Sequence, residues 1–470
     1  MVKLKQTYVP FCEVKKLMFG ENPRFDYEKE PSRDILCLDC KSFYASVECV
    51  ERGLHPLKTK LVVMSKPADI NGDRGSGLIL ASSPLAKKAF GITNVSRARD
   101  LPFPYPDDLI ICAPRMGLYM KKNMEINNIY RKYVDESNLS VFSVDESFLD
   151  VTDSLKFFGC KDAYTMARMI QRDVYKRTGI YTTCGIGENP FLAKVALDLY
   201  SKKSSDMKAE IRYEDVKSKL WVVDDLTEIC GIGGKTARKL NDMGINTVYD
   251  LAHADYYKLK TKFGVIGTQL FANAWGIDRS FIGQKYKQKS KSIGNSQVLN
   301  KDYTKRKEIE IVIKEMADQV GTRLRRMGAK TENVSLWIGY SIGYLDSKGK
   351  SGFHQQMKIP LTNTSKEIAN YLLQIFDKNY KYQDVRHIGV NCSKLTYTTA
   401  LQLNLFENPE DQLRERKIDY VVDTIRRKYG FKSIVHAYSL LDGARAIDRS
   451  SLIGGHAGGM SGIEGDGGDG

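Results

Sequence analysis

From Asp34 to Tyr200 short apolar runs of strand length alternate with amphipathic stretches of helical length, which limits the chain to folds in which helices pack on a sheet. ILCLD reads as a strand and KSFYASVECVER as a helix, followed by LVVMS and GLILAS as strands. After Pro84 a short helix leads through the Pro-rich loop LPFPYPDD to the strand LIICA and the amphipathic stretch Arg115 to Tyr133. SVFSVDESFLDV reads as a hairpin with a tight acidic turn. A helix near Lys161 to Lys176, the strand TTCGIG and a helix from Pro190 to Tyr200 complete a helix-backed antiparallel sheet. Small helices dominate Asp224 to Trp275. Beyond them KSIGNSQV, NVSLWIGY, FHQQMKI and VRHIGVNCS alternate as strands with helices near Lys305 to Met327 and Ser365 to Lys378, a second α/β module. With 470 residues the chain outgrows one hydrophobic core, so the expectation is an α/β, or α+β, protein of several domains.

Composition narrows the setting. No apolar run approaches the roughly 20 residues of a membrane-spanning helix, and MVKLKQTYVPFCEV lacks the apolar centre of a secretory signal, so a cytoplasmic protein with no membrane role is expected. Nine scattered cysteines suit a reducing compartment. The Cys37/Cys40 pair has no second pair or nearby histidine to complete a zinc site and reads as core or site wall. Lys and Arg exceed Asp and Glu by 72 to 57, and the stretch with Lys285, Lys287, Lys289, Lys291, Lys301, Lys305 and Arg306 contains no acid except Asp302. Such a run can track phosphates or serve as a solvated linker. From Gly454 onward 9 of 17 residues are glycine, the composition of a disordered tail.

The strongest chemical signal is Asp39, at the end of the first strand, with Asp145 and Glu146 in the hairpin turn. Adjacent strands can converge these carboxylates. Three clustered carboxylates repel one another unless a divalent cation sits between them, as in oxygen-ligand magnesium sites. Two such ions can activate a sugar hydroxyl and stabilise a leaving pyrophosphate. Taken singly, each acid is more often structural, Asp-Glu as a solvent turn and Asp39 as a helix cap.

LDCKSFYASVE (Leu38 to Glu48) and SVDESFLDV (Ser143 to Val151) resemble the two active-site motifs of the Y-family translesion DNA polymerases, most closely the bacterial UmuC-like (ImpB/MucB/SamB) branch. The likeness continues through GIGENPFLAKVALDLYSKK to roughly residue 406. It implies a right-hand polymerase. Residues 34–224 would form a ferredoxin-like palm with small fingers inserted at about 53–108, and 225–283 a helix-hairpin-helix thumb. A basic linker (284–291), an α/β little finger (292–400), a C-terminal extension (401–453) and the tail (454–470) would follow, behind a leader of residues 1–33. The resemblance assigns Asp39, Asp145 and Glu146 as catalytic metal-binding carboxylates for two Mg2+ ions, with the Cys40 carbonyl as an auxiliary ligand. Tyr44 becomes the steric gate, a ring that would collide with a ribose 2′-OH, and Lys202 a triphosphate contact. The fingers motif departs from the family pattern S-Y-E-A-R: here it reads Ser83-Pro84-Leu85-Ala86-Lys87. No aromatic hydroxyl is available there, and Lys87 offers a point charge in place of an arginine fork.

LTEICGIGGKTARKL reads as a helix-hairpin-helix in which Gly231, Gly233 and Gly234 open backbone N-H groups toward a DNA phosphate, aided by Lys235 and Arg238. An ordinary interhelical turn would look similar. Ser292, Asn295 and Ser296 are polar DNA-backbone candidates on the first strand of the second module, where edge solvation would serve equally. Gln402, Leu403, Leu405 and Phe406, in QLNLF, resemble the peptide that binds the bacterial sliding clamp, although Leu403 and Leu405 also alternate as a core strand would. The expected function is template-directed, error-tolerant DNA synthesis in SOS-type damage tolerance, on primer-template DNA with deoxynucleoside triphosphates. The sliding clamp is the expected tether, and a recombinase filament or accessory subunits are further partners. The alternative is a catalytically weak DNA-binding adaptor at stalled primer ends.

Overall fold

The computed structural model describes residues 25–64, 77–93, 96–284, 291–399, 408–453 and 456–457. It comprises two compact units, Met1–Cys112 with Tyr119–Lys285, and Ala113–Leu118 with Tyr286–Gly470.

The first unit is built on a five-stranded sheet. Its strands are β1 (Ile35–Cys40), β5 (Leu139–Val141), β6 (Glu146–Asp150), β7 (Thr182–Gly187) and β8 (Lys208–Ile211), in the order β5-β6-β1-β7-β8. Ile35 to Leu38 are fully buried, because the central strand is covered on both faces and so carries an unbroken apolar run. β1 runs antiparallel to β6 and β7, but β8 joins β7 in parallel, so the sheet is mixed where the sequence pattern predicts antiparallel pairing throughout. Lys208-Ala-Glu-Ile hides this edge strand, since Lys208 is buried by laying its ammonium over the Tyr164 ring and pairing with Asp206.

A second, three-stranded sheet, β3-β2-β4, comes from β2 (Lys60–Met64), β3 (Ile79–Ser82) and β4 (Leu109–Cys112). The helices of this unit that bear on the site are α1 (Phe43–Val50), α2 (Pro84–Phe90), α3 (Met116–Tyr130), α4 (Ala163–Thr178) and α5 (Pro190–Val195). Helix α2 starts where Ser83 caps the Ala86 N-H and Pro84 takes the first helical position. Helix α5 lies almost in contact with β7. A Cβ on Gly185 would fall 2.1 Å from the Ala193 carbonyl oxygen and one on Gly187 2.6 Å from the Ala193 nitrogen, so both glycines are needed to admit it.

Four short helices follow: α6 (Gly234–Asn241), α7 (Val248–His253), α8 (Tyr256–Phe263) and α9 (Val265–Ala274). Residues 25–33 pack on the rest of this unit. Phe25 packs on Phe271 and Trp275, Tyr27 stacks on Tyr213, and Glu30 pairs with Arg279, strapping this segment to the helical cluster.

In the second unit β9 (Ile293–Tyr303), β10 (Ala329–Tyr340), β11 (Gly352–Thr362) and β12 (Val385–Tyr397) form an antiparallel sheet in the order β11-β10-β12-β9. Helices α10 (Arg306–Arg326) and α11 (Ser365–Asn379) cover one face. A long helix, α12 (Pro409–Tyr429), is fastened to α10 by buried charges: Arg325 meets Asp419 at 3.0 Å and Asp423 at 2.6 Å, and Arg426 meets Asp318 at 2.7 Å. Among the described residues no helix is long and apolar enough to cross a membrane.

Candidate active site

The end of β1 and the start of β6 fix the centre of the site. Asp39 is the register partner of Glu146, and the Cys40 N-H donates to the Asp145 carbonyl at 2.8 Å, so the three acids lie on neighbouring strands. The turn that follows is tight: Ser42 adopts a left-handed conformation, φ 49°, a strained geometry for a residue other than glycine and of the kind that gathers at functional sites. It delivers Phe43 and Tyr44 at the first turn of α1. A cleft of about 420 Å³ opens here, its wall including Asp39, Cys40, Tyr44, Lys87, Asp145 and Lys202.

The Asp39 carboxyl feels the charges of Asp145 and Glu146, but lysines pair with two of the three acids. Among the described residues no three acidic, thiol or imidazole side chains converge on one point, and the reason lies in α5 and the turn after it. Lys194, Asp198 and Lys202 follow at four-residue spacing on one helical face. Lys194 meets Glu146 at 2.8 Å and Asp198 at 3.1 Å, while Lys202 meets Asp198 at 2.8 Å and Asp39 at 3.2 Å. The result is a chain of alternating charge, Glu146, Lys194, Asp198, Lys202, Asp39. Glu146 also accepts from the Cys37 thiol at 3.1 Å, and Asp145 from the Ser143 hydroxyl at 2.6 Å. Asp39 and Asp145 border the cleft, whereas Glu146, paired with Lys194, is not part of its wall.

The electrostatics carry the same imprint. Burial pushes the Asp39 carboxyl up to about 6, Lys202 opposes this, and the Asp145 and Glu146 charges add to it. Burial likewise disfavours the charge on Lys202 and Lys194, but the facing carboxylates override it and hold both ammonium groups above their usual range. Lys87 is the opposite case: burial, with Lys202 and Lys41 nearby, lowers its pKa although Asp39 works to raise it. Carboxyl oxygens from Asp39 and Asp145 beside the Cys40 main chain are a hard oxygen donor set of the kind that suits a divalent cation, while Lys41, Lys87 and Lys202 on the same wall suit an anionic ligand.

Of the residues singled out in the sequence, the structure brings Asp39, Cys40, Tyr44, Lys87, Asp145 and Lys202 together on this cleft wall; Lys41, Lys194 and Asp198 were not among those singled out. The lysine-aspartate-lysine spacing within GENPFLAKVALDLYSKK was the available signal for the last two. Elsewhere in the first unit, Gly231 turns the chain with φ 93°, and Gly233 precedes α6, which begins at Gly234 and exposes Lys235 and Arg238. In the second unit Ser292 and Ser296 are exposed, whereas Asn295 bonds Gln319 of α10 and Arg449 instead. The connector lysines Lys285, Lys287 and Lys289 and the whole of Gln402 to Phe406 lie outside the described residues.

Residues 38–198 match the profile of the impB/mucB/samB family and residues 290–405 that of the impB/mucB/samB family C-terminal domain, with residues 227–278 matching the thumb domain of DNA polymerase-iota. Among curated relatives, the Bacillus subtilis protein UvrX, described as a UV-damage repair protein, is 40% identical over 434 residues, covering 92% of this chain and 99% of that one. DNA polymerase IV 2 of the same organism is 33% identical over 424 residues, covering 90% and 98%. A solved Y-family DNA polymerase chimera, Dbh-Dpo4(243-245)-Dbh, superposes with a TM-score of 0.60 at 21% identity, over 78% of this chain and the whole of that one, and shares its fold.

Proposed function

We propose, for a chain that belongs to the impB/mucB/samB branch of the Y-family DNA polymerases and is a DNA-directed DNA polymerase, that it extends primers across damaged templates by two-metal nucleotidyl transfer at the Asp39 cleft. The observation that carries the reading is the company in that one cleft: two carboxylates, a half-buried tyrosine and three lysines. Asp39, Asp145 and the Cys40 carbonyl would hold divalent cations, with Glu146 completing the set once it leaves Lys194. Bound there, the ions would supply Lewis-acid activation of the primer hydroxyl and charge relief on the departing pyrophosphate.

The chain's own residues account for the rest. Lys41, Lys87 and Lys202 place positive charge along one wall, where a triphosphate is held by charge-assisted contacts. The burial that lowers the Lys87 pKa means that part of its hydration is already lost before a phosphate arrives. Tyr44 presents its ring to the sugar and selects deoxyribose by exclusion. Gly231, Gly233, Gly234, Lys235 and Arg238 would grip DNA phosphates, as would Ser292 and Ser296 of the second unit. Asn295 would contribute through its backbone, its amide being engaged. QLNLF would tether the enzyme to the sliding clamp and raise the local concentration of primer ends. Phe406→Asp should then abolish clamp affinity while clamp-free synthesis persists, and unchanged affinity would refute the tether.

Primer extension with four deoxynucleotides and magnesium, comparing the natural chain with Asp145→Asn/Glu146→Gln, tests the site. Loss of extension with DNA binding retained is expected. If both chains bind a primer and neither extends it, even with clamp and partners added, the adaptor reading replaces this one.

A further inference from the structure

Tyr44 does not stand alone. Its ring lies nearly parallel to that of Tyr119 on α3, with centroids 4.4 Å apart and planes 15° from coplanar. Tyr119 is completely buried and contributes nothing to the cleft wall. Its hydroxyl donates at 2.7 Å to Glu48 Oε1, and Glu48 is completely buried too. Arg52 closes on the other carboxylate oxygen, Oε2, and its guanidinium also donates to the Glu48 carbonyl at 2.8 Å. Tyr44, Glu48 and Arg52 are spaced by four residues along α1 and the turn after it, so one helix supplies the gate ring, the buried acid and the cation. Tyr119 closes the loop from α3.

This arrangement is costly for mere packing. A buried carboxylate loses its hydration, and an apolar pair of the same volume would fill the space at lower expense. A polar anchor adds direction: it fixes the height and tilt of the Tyr119 ring, and a stacked ring transmits that tilt to its neighbour. Exclusion of a single 2′-oxygen depends on such placement, because a gate ring that can lean by a fraction of an ångström admits the atom it should reject.

We infer that Tyr119, held by Glu48 and Arg52, is a positioning residue that sets how strictly Tyr44 excludes ribonucleotides. The inference rests on the steric-gate reading of Tyr44, so its test must separate the two.

The experiment is single-nucleotide insertion opposite a matched template base, with deoxy- and ribonucleoside triphosphates in parallel, for Tyr44→Ala, Tyr119→Leu and Tyr119→Phe. An aromatic pair couples by about 0.5–1.5 kcal/mol, which predicts that Tyr119→Leu lowers the deoxy-over-ribo ratio of kcat/KM by about 2- to 12-fold. The loss should arise from faster ribonucleotide insertion, with kcat/KM for the deoxynucleotide held within about twofold, a split that general destabilisation would not produce. Tyr119→Phe keeps the ring and nearly the whole volume and removes the hydroxyl that bonds Glu48. It should show a smaller loss in the same direction, and it keeps the test decisive if Tyr119→Leu fails to fold. If Tyr44→Ala erases sugar selection while Tyr119→Phe and any folded Tyr119→Leu retain the natural ratio, the positioning role is overturned and the gate stands. If Tyr44→Ala leaves the ratio unchanged, the gate reading itself falls.

Discussion

Replacing Asp39 with asparagine should make the metal-free protein more stable at neutral pH while abolishing its chemistry. The carboxyl is held at about 6 in the folded chain against 3.8 for a free aspartate, so its ionised form costs about 3 kcal/mol in the native state. The sign follows from proton counting. Between those two values the folded protein binds more protons than the unfolded one, so stability falls as pH rises through the window, and the full penalty is present above about 6. Asparagine keeps the shape and carries no charge. The stability difference, Asp39→Asn minus natural chain, should therefore be small near pH 4 and favour the variant by up to about 3 kcal/mol near pH 8. Lys202 loses one partner in the variant but keeps Asp198, which limits the offset.

Urea unfolding with a chelator present measures this directly. Trp221 and Trp275 lie in the first unit and Trp337 in the second, so a Trp337→Phe background reports on the unit that holds the site. Other titrating groups, including Glu188, which burial raises to about 7, are common to both chains and cancel in the difference. Adding magnesium should then stabilise the natural chain and not the variant, through preferential binding to the folded state. Parallel stability curves for the two chains from pH 4 to pH 8 would refute the claim that Asp39 is held against its charge.

Three further outcomes follow from specific contacts. Gly185→Ala forces a methyl into the Ala193 carbonyl and the Leu197 backbone, neither of which can yield without moving α5 off β7, and should cost at least about 3 kcal/mol by urea unfolding. Arg426→Ala removes the cation beside Asp318, whose side chain is only 6% exposed, and leaves it the Ser365 hydroxyl and His436; the second unit should lose about 3 kcal/mol, measured by hydrogen exchange in α10, and a near-neutral result would refute the claim that this pair fastens α12. Lys202→Ala removes a charge from the cleft wall and should lower kcat/KM for nucleotide about 10- to 150-fold, the equivalent of a charged hydrogen bond of about 1.5–3 kcal/mol, with DNA affinity unchanged in a binding assay.

How much of this was legible in the sequence depended on whether a residue's role is local. The strand ILCLD, the helix after Ser83-Pro84 and the hairpin around Asp145 announced themselves because burial on both faces, a capped helix start and a tight turn each leave a mark within a few residues. The edge strand at Lys208 left no such mark, since its lysine is buried only by virtue of Tyr164 and Asp206, one of them some forty positions away. The motif resemblance names Asp39, Asp145 and Glu146 together, and β1 and β6 place them on neighbouring strands. The orientation of Glu146 was not legible, because it is set by Lys194, a residue whose spacing to Asp198 and Lys202 is ordinary helix periodicity until β1 and β6 are placed beside it.

The same distinction governs the cleft as a whole. A carboxylate can be recognised one residue at a time, but its charge state belongs to the group: Asp39 is raised by burial and two acids and lowered by Lys202, and Lys202 is shared with Asp198. On the proposed function, a cation entering the site would take over carboxylates that now meet lysines. A lysine that gives up a carboxylate is then free to meet phosphate. Lys202, which borders the cleft and meets Asp39 at 3.2 Å, is placed for that exchange. Lys194, 13% exposed beneath Glu146, is placed to take the carboxylate back.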